Sequence, residues 1–251
     1  MTFIELYNEL SRLYPDALRC EWDNDGIMCA DRLDRPVKKV LVALDVTKNT
    51  VKHAIENGFD TIISHHPLIF KSQKSLTPTN YTQNKLIELI KGNVAVMSFH
   101  TRLDAASGGV NDTLCHVLGL QNVVSDPTDP VGRIATINTT SLQEFASGVK
   151  ASLGAPFVLY SGNKDVNKVY VVGGDGKELI QNAIDNGCDT LITGRASYNT
   201  AIDAADMGLN IVEAGHFYTE NPICCALKSR LSEIDATIEV DIYNSNEIKC
   251  I

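Results

Sequence analysis

A ten-residue segment, AIENGFDTII at 54–63, returns as AIDNGCDTLI at 183–192, a constant shift of 129. The same shift carries VKKVLVALD at 37–45 onto VNKVYVVGG at 166–174. Each copy therefore reads as apolar strand, turn, helix, Asn-Gly stop and second apolar strand, a β-α-β unit. Gly58 and Gly187 stand where each helix would finish in a left-handed residue. The runs VLVAL and DTIIS suit parallel strands covered on both faces. Further on, HTRLD at 100–104 falls on HFYTE at 216–220 with a shift of 116. The difference of 13 residues marks a stretch present only in the first copy, for which HPLIFKSQKSLTP is the natural candidate.

A chain repeated in this way is expected to fold as α/β, with two related lobes. We assign residues 1–120 to the first half, 166–251 to the second, and 121–165 to a small α+β insert whose alternating RIATIN and FVLYSG flank a helix-like SLQEFASGVKASLG. The first helix, near residues 2–14, opens on a capping box from Thr2 to Glu5 and is expected to bury Ile4, Leu6, Leu10 and Leu13.

Composition narrows the function classes. With 22 Lys+Arg against 31 Asp+Glu the net charge is −9, and no Lys/Arg-rich stretch gathers the positive charge, so nucleic acid is a poor partner. No apolar run approaches the roughly 18 residues that a spanning helix needs, and the N-terminus lacks a basic stretch followed by an apolar one. Seven scattered cysteines without a C-x-x-C pair argue against a disulfide framework or a zinc finger. A soluble protein of the reducing cytoplasm, without a membrane partner, is expected.

Four of the six histidines lie at predicted C-terminal ends of strands: His65, His66, His100 and His216. That edge of an open parallel sheet is where ligands bind. Successive strand side chains point to opposite faces, so His65 and His66 converge only if the strand stops there, and Pro67 favours such a stop. The plainer reading is two polar residues at a loop edge. His53 and His116, on helical segments, read as surface or structural residues. His100 is followed four residues later by Asp104, and His216 four later by Glu220, in register with the repeat. Residues at i and i+4 share a helical face, so each half could aim an imidazole and a carboxylate at a common point. Either pair alone reads equally as solvated helix surface. Occurring twice beside a His-His, they favour a divalent cation such as Zn, Fe, Mn, Co or Ni, and a carboxylate could bridge two ions.

Other segments leave alternatives open. Gly173-Gly174-Asp175-Gly176 lies between strand and helix, and reads either as a phosphate cradle or, lacking the full dinucleotide fingerprint, as a tight turn. Thr47 is a candidate helix N-cap. Glu21-Trp22-Asp23-Asn24-Asp25-Gly26 puts the one tryptophan in a polar turn that borders a pocket or simply anchors the loop. Cys224-Cys225, on an apolar helix, reads as packing. No organised nucleophile motif such as G-x-S-x-G is present.

Taken together, WDNDGI, LDVT, NGFDTIISHHPLIF, HTRLDAASGGVND, DTLITG and AGHFYTE resemble the Nif-three-like family, the GTP cyclohydrolase I type 2 homologues. The likeness runs in order over nearly the whole chain. It implies the Nif-three-like fold, a dinuclear metal site between two lobes, and a ring-shaped homohexamer. Carried onto this sequence, the metal ligands would be His65, His66, Asp104, His216 and Glu220, with His100 orienting Asp104 or contacting substrate. The chain departs from the family pattern at Arg195, where an acidic residue often follows Thr-Gly, and at Asn199, where a histidine often stands. A cation at Arg195 could bind an anionic group of a ligand such as a phosphate.

The expected activity is a metal-dependent hydrolase. Two divalent ions would activate water against a nucleotide-like or phosphoester substrate, with His100 and Glu220 as catalytic residues. A non-catalytic metal-binding regulatory or interaction protein, assembled as a ring, is the alternative.

Overall fold

Both copies of the repeat form β-α-β units in the computed structural model, which describes residues 1–251. In chain order the elements are α1 (Phe3–Leu13), β1 (Gly26–Cys29), β2 (Lys39–Ala43), α2 (Lys48–Glu56), β3 (Thr61–Ser64), α3 (Tyr81–Lys91), β4 (Ala95–Ser98), α4 (Thr101–Ala105) and α5 (Val110–Val117). The chain continues through β5 (Val124–Ser125), β6 (Arg133–Thr140), α6 (Leu142–Leu153), β7 (Leu159–Ser161), β8 (Val166–Asp175), α7 (Ile180–Asp185) and β9 (Thr190–Arg195). It ends with α8 (Tyr198–Asp206), β10 (Asn210–Glu213), α9 (His216–Glu220), α10 (Pro222–Ile234) and β11 (Glu239–Tyr243). No helix is long and apolar enough to cross a membrane.

The repeated Gly-x-Asp-Thr acts alike in both copies. Gly58 and Gly187 take φ of 70° and 66°, the left-handed turn that ends α2 and α7. The next aspartate then holds the start of the neighbouring strand. Asp60 Oδ2 accepts the amide N–H groups of Lys38 and Lys39, each at 2.8 Å, while Thr61 donates to its other oxygen. Asp189 does the same for Asn167 and Lys168, at 2.9 and 2.8 Å, with Thr190 as donor.

The chain forms two compact units, residues 1–103 with 224–249 and residues 104–223 with 250–251. The first contains a five-stranded sheet in the order β1-β4-β3-β2-β11, parallel except for the antiparallel edge strand β1. Its core gathers Leu41, Val51, Ala54, Ile62, Leu86, Leu89 and Val96. The second contains a six-stranded sheet in the order β5-β6-β8-β9-β10-β7, whose parallel centre β8-β9-β10 is flanked by antiparallel strands.

These units do not coincide with the three segments drawn from the repeat. Segment 121–165 is no separate module: β6 pairs with β8 and β7 with β10, and α6 packs Leu142, Ala146 and Val149 into the core formed by β8, β9 and β10. Residues 224–249 belong to the first unit, because β11 aligns parallel to β2 from Glu239 opposite Lys39 to Tyr243 opposite Ala43. In α1 the capping box forms as read, but the buried stripe is Phe3, Leu6 and Leu10. Ile4 is half-buried and Leu13 is 41% exposed, since Phe3 lies about one turn before Leu6 and two before Leu10 on the inward face. Cys224 is buried as expected, whereas Cys225, the next residue around α10, is exposed.

One buried polar cluster in the second unit makes stability depend on pH. The Tyr170 hydroxyl, wholly buried, donates to Asp126 at 2.7 Å, and Thr128 and Asn182 donate to the same carboxylate. Burial pushes the Asp126 carboxyl up, but these donors outweigh it and hold it well below the usual range. With the folded value below the unfolded one, the stabilisation is complete above about pH 4 and is lost as acid protonates the carboxylate. Asp126→Asn is therefore expected to flatten the acid limb of the stability–pH curve and to cost about 1–3 kcal/mol at neutral pH. Urea unfolding at a series of pH values measures both; an unchanged acid limb would refute the assignment.

Candidate functional site

Strand β3 stops at Ser64, where the backbone turns through His65-His66-Pro67. The turn is pinned by the Ser64 hydroxyl, 2.9 Å from the His66 carbonyl and 2.8 Å from the Ser98 hydroxyl, and by the His66 amide, which donates to the Leu44 carbonyl. With the strand ended, both imidazoles swing to one side. Together with His100, which follows β4, they form a cluster in the first unit. Ring centroids lie 4.9 Å apart for His65–His66, 5.2 Å for His65–His100 and 5.7 Å for His66–His100. Each ring offers one nitrogen to a set whose members lie within 4.8 Å of one another.

Each imidazole is also held at its other side. His65, fully buried, has Nδ1 3.0 Å from the Phe99 carbonyl oxygen. A carbonyl only accepts, so His65 Nδ1 carries the proton, which in the neutral ring puts the lone pair on Nε2. His66 Nδ1 lies 2.8 Å from Asp45 Oδ1, and His100 Nδ1 lies 2.8 Å from Asp23 Oδ1. An oxygen acceptor behind Nδ1 is the arrangement that orients a metal-ligating histidine.

The acceptor behind His100 comes from the Trp22-Asp23-Asn24-Asp25 turn. Asp23 also receives the Thr101 amide at 3.0 Å and the Thr101 hydroxyl at 2.7 Å, while Asp25 receives the His100 amide at 3.1 Å. These two carboxylates satisfy amides at the opening of α4. Burial raises the Asp23 carboxyl, but donation from His100 and Thr101 outweighs it and brings it down to about 2. Sequence reasoning missed Asp23 and Asp45 as partners of the histidines. The available signal was two aspartates, in WDND and LDVT, placed on loops at the ends of strands.

The second unit brings His216 and Glu220 together across one turn of α9, with Nε2 3.0 Å from Oε2. Glu220 is buried against the Gly173-Gly174-Asp175-Gly176 segment at the end of β8, where a β-carbon on Gly174 would lie 2.2 Å from Glu220 Oε1. Gly174 also has φ +65°, so the position needs glycine on both counts. The amides of this segment are occupied: Gly173 donates to Asn111 Oδ1, Gly174 to the Thr219 hydroxyl and Gly176 to the Thr193 hydroxyl. Neither reading describes the segment as found: Gly173, Gly174 and Asp175 are the end of β8, where the pairing with β9 shifts register between Val172 and Asp175, and this irregular end lies against the Glu220 carboxylate.

Asp104, half-buried, lies on α4, and its carbonyl accepts the Asn111 side-chain amide at 3.1 Å. Arg195 ends β9, exposed and in register with Asp175, and Asn199 lies in the first turn of α8. His53 stacks near Phe59 and Tyr243, in keeping with a structural role. Imidazole and carboxylate donors, preset by hydrogen bonds, thus form clusters that could bind a metal, and their chemistry fits a borderline divalent ion.

A "GTP cyclohydrolase 1 type 2 homolog" of Clostridium perfringens is 33% identical over 249 residues, covering 95% of each chain. Among solved structures, a hypothetical protein of Staphylococcus aureus superposes with a TM-score of 0.92 at 28% identity, covering 100% of this chain and 99% of that one. Reduced HcgD from Methanocaldococcus jannaschii superposes with a TM-score of 0.86 at 27% identity, covering 98% of each. The family model described as Duf34/NIF3 (NGG1p interacting factor 3) matches residues 1–250. Sharing that pattern from end to end, together with the fold of solved relatives, this chain belongs to the Duf34/NIF3 family.

Proposed function

We propose that this protein is a metal-dependent hydrolase in which His65, His66, Asp104, His216 and Glu220 hold two divalent ions, acting on a nucleotide-like or phosphoester substrate. The observation that carries the reading is the cluster of three imidazoles in the first unit, each with Nδ1 set against an oxygen acceptor. An oxygen acceptor behind Nδ1 fixes each ring and directs its Nε2 side towards a cation. The His216–Glu220 pair supplies a second set of the same donor types. Divalent ions so held would contribute electrophilic polarisation of the substrate and acidification of a water.

The protein's own groups do the rest. His100 Nε2, with Nδ1 anchored by Asp23, is the atom positioned to take and return a proton. Glu220, its carboxylate buried and packed close against Gly174, is the second acid–base candidate. The names of the relatives favour a purine nucleotide as substrate, and the family resemblance favours a ring-shaped homohexamer. All seven cysteines are free thiols, which suits the cytoplasm.

The test is elemental analysis of protein purified without added metal, followed by a screen of nucleotides and phosphoesters with that metal restored. Two ions per chain and metal-dependent turnover are expected. His65→Ala should lower metal affinity and turnover each by more than about 100-fold, the upper end of what loss of a mere outer partner costs, with circular dichroism unchanged. A chain that takes up no divalent ion would overturn the proposal. Ions bound without turnover on any compound would leave the non-catalytic ring in its place.

A further inference from the structure

Two exposed aromatic rings of the first unit stand beside the histidine cluster and play no part in holding a metal. Trp22 is 64% exposed and Phe70 is 50% exposed. Their ring centroids lie 6.1 Å apart, inclined at 58°. Both meet the His100 imidazole nearly at right angles, Trp22 at 6.0 Å and 76°, Phe70 at 6.4 Å and 82°.

These side chains sit on loops that are tied down. Trp22 immediately precedes Asp23, which is locked to His100 and Thr101. Asn24 Nδ2 donates to the carbonyl of Ile69, the neighbour of Phe70, at 2.5 Å, so the two loops are joined where the rings meet. Phe70 lies in HPLIFKSQKSLTP, the candidate for the 13 residues by which the first copy of the repeat exceeds the second. Large apolar rings left in water are unfavourable by their area, and an indole this exposed has an open π face.

We propose that Trp22 and Phe70 form a stacking platform for the planar heteroaromatic ring of the substrate, a nucleobase or a ring like it, and so deliver the bond to be cleaved beside His100. This rests on the hydrolase reading above and extends it by naming which part of the ligand seats where. The occupant follows from position and chemistry. Anything seated on these rings borders the imidazole they both touch, and uncharged π faces grip a base where they could not grip a phosphate. Stacking is tolerant of base identity, so the platform sets the class of ligand and leaves the choice of base to other contacts.

Trp22 is the one tryptophan, so the protein's indole fluorescence reports this position alone. Metal-loaded protein titrated with GMP, guanosine and ribose 5-phosphate should be quenched by the first two and unaffected by the third. By calorimetry, Phe70→Ala and Trp22→Ala should each weaken GMP binding by about tenfold, while Trp22→Phe retains most of the affinity. Metal content should be unchanged in all three variants. Equal quenching by ribose 5-phosphate, no quenching by GMP, or variants that bind GMP as well as the parent would each overturn the platform. So would emission that shifts with protein concentration without any probe, which would place a second copy on these rings. If the parent chain takes up no metal, the hydrolase reading fails by itself, and base-dependent quenching still decides the platform.

Discussion

Arg102→Leu should destabilise the protein by about 3–5 kcal/mol, read as a lower urea midpoint at unchanged slope, because it strands a buried carboxylate. The Arg102 side chain is fully buried. Its Nε donates to Asp25 Oδ2 at 2.9 Å, its Nη1 lies 2.6 Å from Asp16 and its Nη2 lies 3.2 Å from the Tyr7 hydroxyl, while the guanidinium rests 4.5 Å above the Phe99 ring. Burial acts to discharge the group, but Tyr7 and Asp25 outweigh it and hold it firmly cationic. Removing the cation leaves the buried Asp25 side chain with no close cation, only the His100 amide at 3.1 Å and a longer 3.5 Å approach from Arg19. Arg102→Lys should recover little, since an ammonium cannot reproduce the planar fork. Replacing both partners with leucine should recover much of the loss, because an apolar pair needs no compensation. A double variant as unstable as the single one would show that the ion pair is not the cause. Asp25 also receives the His100 amide, so the same variants should loosen the histidine cluster.

How much of this was legible in the sequence depends on the range of the interaction. Local rules carried far. The Thr2 capping box, the Thr47 cap and the left-handed Gly58 and Gly187 involve neighbours within four residues and appear as read. The repeat revealed the β-α-β units because identical local instructions give identical local structures. It could not show that β11 returns to pair with β2, a decision between strands about 200 residues apart, nor that β6 and β7 extend the sheet of the second unit. The histidines were visible because Pro67 signals the end of a strand. Their acceptors were not: Asp45 lies 21 residues from His66, and Asp23 lies 77 from His100. A carboxylate in a polar turn looks the same in sequence whether it faces water or an imidazole. The Gly173–Gly176 segment shows the converse, since a glycine-rich stretch that suggests a phosphate proves to make room for Glu220.

The remaining large effect concerns those acceptors. On the metal reading, Asp23→Ala and Asp45→Ala should each weaken divalent-ion binding by about 10–100-fold without removing a ligand, as measured by competition with a chromophoric chelator. The physical cause is orientation and basicity. A carboxylate behind Nδ1–H fixes the ring and raises electron density at Nε2, whereas without it the imidazole can rotate or change tautomer. The two sites should differ. The Asp23 side chain is fully buried and also receives the Asn24 amide and the Thr101 amide and hydroxyl, so its loss removes four hydrogen bonds and frays the opening of α4. The Asp45 side chain is 41% exposed, and water can replace part of what it provides to His66. Asp23→Ala should therefore lie at the high end of the range and Asp45→Ala at the low end. Asparagine at either position keeps an accepting oxygen but loses the charge, so each Asn variant should fall between its alanine counterpart and the parent. Affinities that ignore all four substitutions would mean that these carboxylates serve the loops and not the imidazoles.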